Sequence, residues 1–223
     1  MQMLKMIFVT STVITTGLAL VTPTEAATVT LFFDDFESDL SAWVGTSGTT
    51  SDAHGVIVPD PLQSDQALTF TQLSATGDIF GPITPVDSPT NQYRLSFDYL
   101  GLFQGVGNQD DLGGFIGIVG TGTPARWLAG TSNASNAGDN LQDNGQWNSY
   151  SFLFEADAPV QVRIEDFSGS GGIPGDAYFD NVRLEAVLPE TPVPEPLTIL
   201  GSAAALGFGA LLKREHSKKQ KKS

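Results

Sequence analysis

The chain has 223 residues with 24 Gly, 13 Pro and no Cys, and carries a formal net charge of −14. Without cysteine there is no disulfide, no thiolate nucleophile and no cysteine zinc site, while 40% hydrophobic composition is enough for a packed core. Residues 28–190 hold 22 Asp and Glu against four Arg (Arg94, Arg126, Arg163 and Arg183). That balance excludes a nucleic-acid partner, which needs clustered Lys and Arg, and it favours divalent cations.

In chain order, residues 1–26 read as a signal peptide. Lys5 supplies the positive start, residues 6–21 the apolar stretch, and Ala26 and Ala27 the small residues at which cleavage falls. The body, 27–188, alternates with period two between turn clusters rich in Gly, Asn, Asp and Pro. Strands are predicted at 28–33, 55–58 and 67–73. In "YRLSFDYL", Tyr93, Leu95, Phe97 and Tyr99 share one face while Arg94, Ser96 and Asp98 share the other. Strands at 114–119 and 125–128 follow, then a long polar loop, "TSNASNAGDNLQDNGQ". "WNSYSFLF" groups Tyr150, Phe152 and Phe154, and "VQVRIEDF" sets Val160, Val162 and Ile164 opposite Gln161, Arg163 and Glu165. A last strand spans 177–188. Short strands without crossover helices predict an all-β fold, an antiparallel two-sheet β-sandwich of the jelly-roll kind.

Residues 189–196 form a Pro-rich linker, and 197–212 are apolar and rich in Gly and Ala. Sixteen residues fall short of the roughly 20 that span a bilayer, and snorkelling of Lys213 and Arg214 completes a short transmembrane helix. The basic tail, 213–223, stays cytoplasmic by the positive-inside rule, which leaves the body outside.

Val193-Pro194-Glu195-Pro196, followed by that apolar segment and basic cluster, resembles a PEP-CTERM sorting signal. The resemblance implies recognition by an exosortase membrane enzyme and processing near the motif. It also implies transient anchoring in the membrane before transfer to the cell surface or extracellular matrix. Glu215 and His216 depart from the pattern by interrupting the basic run. Within the body, "LFFDDFESDLSAW" and "GDAYFDNVRLEAV" resemble the first and last strands of galactose-binding-like jelly rolls, among them many carbohydrate-binding modules. "NQYRLSFDYLG" and "GQWNSYSFLFEA" resemble their inner strands.

Asp180 is the most informative side chain, because alternation in "AYFDNVRL" groups it with Tyr178, Val182 and Leu184 in the core-facing row. A buried ionised carboxylate needs a partner or a metal. Calcium takes six to eight oxygen ligands and suits such a group. The resembled modules commonly hold a structural calcium between first and last strands, and Glu37, with Asp35 or Asp34, falls at the matching border. The alternative is a hydrogen-bonded or arginine-paired Asp180. Asp110 and Asp111 in "GNQDDLGG" read as a solvated turn, and "FSGSGGIPGDA" as a hairpin loop.

Sugar binding calls for exposed aromatic platforms beside fixed polar groups. Trp127 with Arg126 is the leading candidate, followed by Phe103 and Gln104, whereas Trp43 and Trp147 are assigned to packing. His54 is the only imidazole of the body and lies beside Ser51 and Asp52, too close in sequence for a catalytic triad. The expectation is an exported, non-enzymatic module that binds extracellular polysaccharide or surface proteins. The alternative is a surface glycan-active hydrolase with the same sorting tail.

Overall fold

The structure, a computed structural model, describes residues 26–45, 54–73, 78–84, 90–120, 123–131, 139–157, 159–169 and 171–189. The segment read as a signal peptide, except Ala26, lies outside the described residues, as do the Pro-Glu-Pro motif, the apolar segment and the basic tail. Among the described residues, no helix is long and apolar enough to cross a membrane.

Eleven strands are described: β1 (Thr28–Asp34), β2 (Gly55–Pro59), β3 (Gln66–Phe70), β4 (Ile79–Phe80), β5 (Gln92–Gly101), β6 (Gly114–Gly120), β7 (Thr123–Gly130), β8 (Asp139–Asn140), β9 (Asn148–Glu155), β10 (Val160–Asp166) and β11 (Ala177–Val187). They form two sheets, one ordered β2-β3-β11-β5-β9 with β1 also on β11, the other ordered β4-β10-β6-β7-β8. The described part of the chain is therefore an all-β sandwich, as its alternation predicts. Every pairing is antiparallel except that of β7 with the two-residue β8, which is parallel. Neither β4 nor β8 is predicted from sequence, since two residues are too few to show a period.

The inner faces follow the alternation. Tyr93, Leu95, Phe97 and Tyr99 of β5 are buried, and Ile116, Ile118, Val160, Val162 and Ile164 face them from the other sheet. Phe179 of β11 lies at the centre, with ring contacts to Phe70, Phe97 and Tyr99 at 5.1–6.1 Å between centroids. Burying each such ring is worth about 1.5–3 kcal/mol. Trp43 is fully buried against Phe32 and Phe36. Its Nε1 donates to Asp34 Oδ2 at 2.7 Å, while Asp34 Oδ1 accepts the Phe36 amide at 2.9 Å. Asp34 is thus the tie that closes β1 onto the core.

β11 positions the acidic residues discussed below. Two strands share one of its edges: β3 meets it at Phe179, and β1 meets it over Val182–Val187. Between them the register against β5 slips between Asp180 and Arg183, and Asn181 takes a positive φ of 51°. Asn tolerates that left-handed conformation better than most residues. The bulge reverses the parity of the strand. Phe179 faces the core before it, Val182 and Leu184 face the core after it, and Asp180 falls on the outer side opposite Asp98. The expectation that Asp180 shares a core-facing row with Val182 and Leu184 is therefore corrected, because an unpaired residue breaks the count of two. Tyr178 likewise turns outward, into a small cluster with Ala67, Leu100 and Trp147.

Candidate functional site

The outer face of the smaller sheet carries the tryptophan singled out above. Gly117 of β6 pairs with Trp127 on one side and with Arg163 of β10 on the other. With no side chain on the middle strand, the Arg163 guanidinium reaches across and lies 3.5 Å above the indole centroid of Trp127. Gly117 is required there, since a Cβ would come within 2.2 Å of the Arg126 carbonyl oxygen. Phe115 meets Trp127 edge-on at 5.5 Å and Phe167 at 5.4 Å.

Arg163 is only 8% exposed, and its Nε is buried without a hydrogen-bond partner. The indole face supplies part of the lost solvation as a cation–π contact. Burial lowers the Arg163 pKa and Glu165 opposes that shift, but an arginine stays charged throughout. Trp127 itself is half-buried. The guanidinium covers one face of that ring.

The arginine at this tryptophan is Arg163 and not Arg126, its neighbour in sequence. Arg126 points to the other side of β7, donates from Nη2 to the Glu155 carbonyl at 3.1 Å and lies 5.5 Å from the Phe154 ring. Alternation already places Arg163 and Glu165 opposite Val162. What sequence could not show is that β6 brings Arg163 and Trp127 into one row. Phe103 is 39% exposed on the loop after β5, and Gln104 Nε2 donates to the Gly175 carbonyl at 2.8 Å. Gln104 therefore anchors one loop on another.

The second constellation lies at the β11 bulge. Asp180 is 5% exposed. Its Oδ1 accepts the Asn181 amide at 2.7 Å, and Asn181 Nδ2 donates both to Asp180 Oδ2 at 3.1 Å and to Asp98 Oδ2 at 2.9 Å. Burial, then the charges of Asp65, Asp98 and Glu37, push the Asp180 carboxyl up to about 7. Glu37 joins the exit of β1 to the entry of β3: its Oε1 accepts the Gln66 amide at 2.9 Å and its carbonyl accepts Gln66 Nε2 at 3.2 Å. Asp35 is engaged locally, accepting the Glu37 amide at 3.3 Å.

Asp180 and Glu37 thus do share one neighbourhood, at the border of first and last strands. Its surplus of carboxylates, with no Lys or Arg ion pair among the described residues, fits a hard, oxygen-loving cation. Among the described residues, no three acidic or histidine side chains form a ready-made metal cage, so backbone and water oxygens would complete any shell here.

Asp111 differs from its expected place in a solvated turn: it is buried and accepts a hydrogen bond from the Thr131 hydroxyl. His54 pairs with Asp78, Nδ1 to Oδ1 at 3.1 Å. Asp78 in turn accepts the Asp166 amide at 2.8 Å and is itself buried. His54 therefore supports a structural carboxylate 24 positions along the chain.

No protein-family model matches the chain, and no curated protein matches it. Solved structures of related shape do exist. The xylan-binding CBM22-1 domain from Paenibacillus barcinonensis has 14% identity and a TM-score of 0.45, with 75% of this chain and 100% of that one covered. The endo-1,3-β-glucanase from Streptomyces sioyaensis has 14% identity and a TM-score of 0.43, covering 77% and 100%. The K3 cleaved adhesin domain of Lys-gingipain from Porphyromonas gingivalis has 12% identity and a TM-score of 0.39, covering 71% and 99%. The activities of these proteins are their own, and the functional argument for this chain rests on its residues.

Proposed function

We propose that the chain is an exported, non-catalytic β-sandwich that binds extracellular polysaccharide through the Trp127 face of its smaller sheet. The observation that carries this reading is the row Arg163–Gly117–Trp127, in which a buried guanidinium fixes a half-exposed indole. A pyranose presents C–H groups that pack on a ring face, and an indole already immobilised loses little further freedom on binding. A single aromatic contact gives weak affinity, in the micromolar to millimolar range of dissociation constants, or about −8 to −4 kcal/mol. Retention in a matrix then depends on many copies acting together.

The same reading assigns the terminal segments to sorting. The Val193–Pro196 motif and its apolar neighbour direct exosortase processing, which places the sandwich at the cell surface or in the matrix. Calcium at Asp180 and Glu37, with Asp35 beside them, joins the first and last strands. There it would supply positive charge to carboxylates that otherwise face one another.

Affinity electrophoresis of the protein in neutral glucan, xylan and mannan gels tests the binding. The parent is expected to be retarded by at least one of these, and Trp127→Ala to run as in the sugar-free gel. Retention of Trp127→Ala equal to that of the parent overturns the site, and no retention of the parent leaves protein–protein adhesion as the better account.

A further inference from the structure

At the junction of β10 and β11, away from the Asp180 bulge, a second group of carboxylates is held inside the protein. Asp166 ends β10 with no exposed surface; the Gly175 amide approaches its carboxylate, but neither oxygen has a hydrogen bond of good geometry. Asp176, immediately before β11, is equally inaccessible. Its Oδ2 accepts the Ile173 amide at 2.9 Å, while its Oδ1 has no partner.

The backbone is shaped around these oxygens. Gly113, at a φ of 90°, has room for no side chain, since a Cβ there would come 2.7 Å from Asp166 Oδ1. A Cβ at Gly172 would come 2.7 Å from Asp176 Oδ2. Asp143 is nearby, accepting the Tyr99 hydroxyl at 2.6 Å and the Leu112 amide at 2.8 Å. Burial, then the charges of Asp176 and Asp78, press on Asp166, and Tyr99 is pushed well above its usual range by burial, by Asp143, and by Asp166 and Asp176.

An ionised carboxylate removed from water costs several kcal/mol unless something offsets its charge. Two of them pressing on one another cost more. Satisfied buried polar groups are the rule, so three buried carboxylate oxygens without a well-formed hydrogen bond call for a further partner. That partner must be cationic and must accept oxygen ligands alone, because the surrounding groups are carboxylates, carbonyls and one phenol. It must also tolerate irregular geometry, as the oxygens come from a strand end and two loops. Calcium meets all three conditions, taking six to eight oxygens in flexible arrangements, with carbonyls and water making up the number.

We propose that Asp166 and Asp176 bind a divalent cation of the calcium class at the β10–β11 junction, separate from the neighbourhood of Asp180. The cation pins the 171–176 loop against the 108–113 loop, which already meet through the Asn108 amide and the Gly171 carbonyl at 3.1 Å.

The test is calcium stoichiometry by titration calorimetry on the chelator-stripped full chain, alongside terbium luminescence excited through tyrosine. Asp166→Asn should bind one calcium fewer than the parent and lose the terbium emission that Tyr99→Phe also lowers. Asp180→Asn should keep that emission. In chelator, Asp166→Asn should melt at or above the parent temperature, because burial penalises an ionised Asp166 and the amide is neutral at every pH. Equal calcium counts and equal emission for parent and Asp166→Asn overturn the proposal and show that the buried carboxyl holds a proton instead. Asp176→Asn gives the same reading should Asp166→Asn fail to fold.

Discussion

Asp180 of β11 stands directly opposite Asp98 of β5, and a single amide, Nδ2 of Asn181, donates to both carboxylates. The pair is outward on its sheet yet Asp180 is shielded from water, so its charge is met by the backbone and side-chain amides of Asn181 and opposed by Asp65, Asp98 and Glu37. An arrangement of this kind stores repulsion that a cation releases.

Calcium is therefore expected to raise the thermal midpoint of the protein. At about a hundredfold excess over its dissociation constant, one site adds about 2.7 kcal/mol. Asp180→Asn should lose part of that rise. Scanning calorimetry with calcium and with chelator measures both, and equal midpoints in the two conditions would remove the metal from this account.

The pH dependence of the metal-free protein follows from three strongly raised carboxyls, with Asp143 also raised by burial. Burial is the first cause in each, and it places Asp166 at about 9, Asp180 at about 7 and Asp176 at about 6. In the unfolded chain an aspartate titrates at about 3.9. The native state thus holds protons that the unfolded state has released, and stability falls as pH rises from about 4 towards 9. Melts in chelator at successive pH values should decline across that window. Calcium should flatten the decline, since it binds the ionised form.

Gly117→Ala should be strongly disruptive although it adds one methyl group. The new Cβ would sit 2.2 Å from the Arg126 carbonyl oxygen and 2.8 Å from the Trp127 Cα, both backbone atoms that cannot rotate away. Overpacking of this kind costs about 1–3 kcal/mol. Urea denaturation measures the loss, and the tryptophan emission should shift as the Arg163 stack is pulled apart. A midpoint equal to that of the parent would show that β6 and β7 separate at no cost.

Processing gives a prediction independent of the sandwich. Material isolated from a host with an exosortase should begin near Ala27 and end near Val193–Pro196 by mass spectrometry. Intact chains ending at Ser223 in such a host would reduce the C-terminal segment to a plain anchor.

Much of the sandwich is legible in the sequence because its inner rows are long and regular. Tyr93, Leu95, Phe97 and Tyr99 alternate without interruption and are all buried. Asp180 shows where such counting stops. Alternation puts it in the core-facing row, whereas the bulge at Asn181 adds an unpaired residue and turns it to the outer side, where it is buried for a different reason. Trp127 is found by composition, whereas its true partner, Arg163, is brought to it only by the pairing of β10, β6 and β7. Asp78, Asp166 and Asp176 escape for the same reason: each sits in its own turn or strand end, and only the fold makes them neighbours. Glycines at 113, 117 and 172 are the one trace left in the sequence, and glycine is too common here to single them out.

The place of β11 has a consequence for how the chain comes to be folded. It is the last strand in sequence but is interior to its sheet, paired with β1 and β3 on one side and β5 on the other. Thr28 and Glu185, hydrogen-bonded at 2.9 Å, are 157 positions apart. A chain emerging from its amino end first, whether from a ribosome or through a translocation pore, leaves β1 and β5 with open edges until β11 arrives. Closure of such long loops is slow. The sandwich thus locks only once β11 has emerged, and an exported chain of this topology would stay threadable until then.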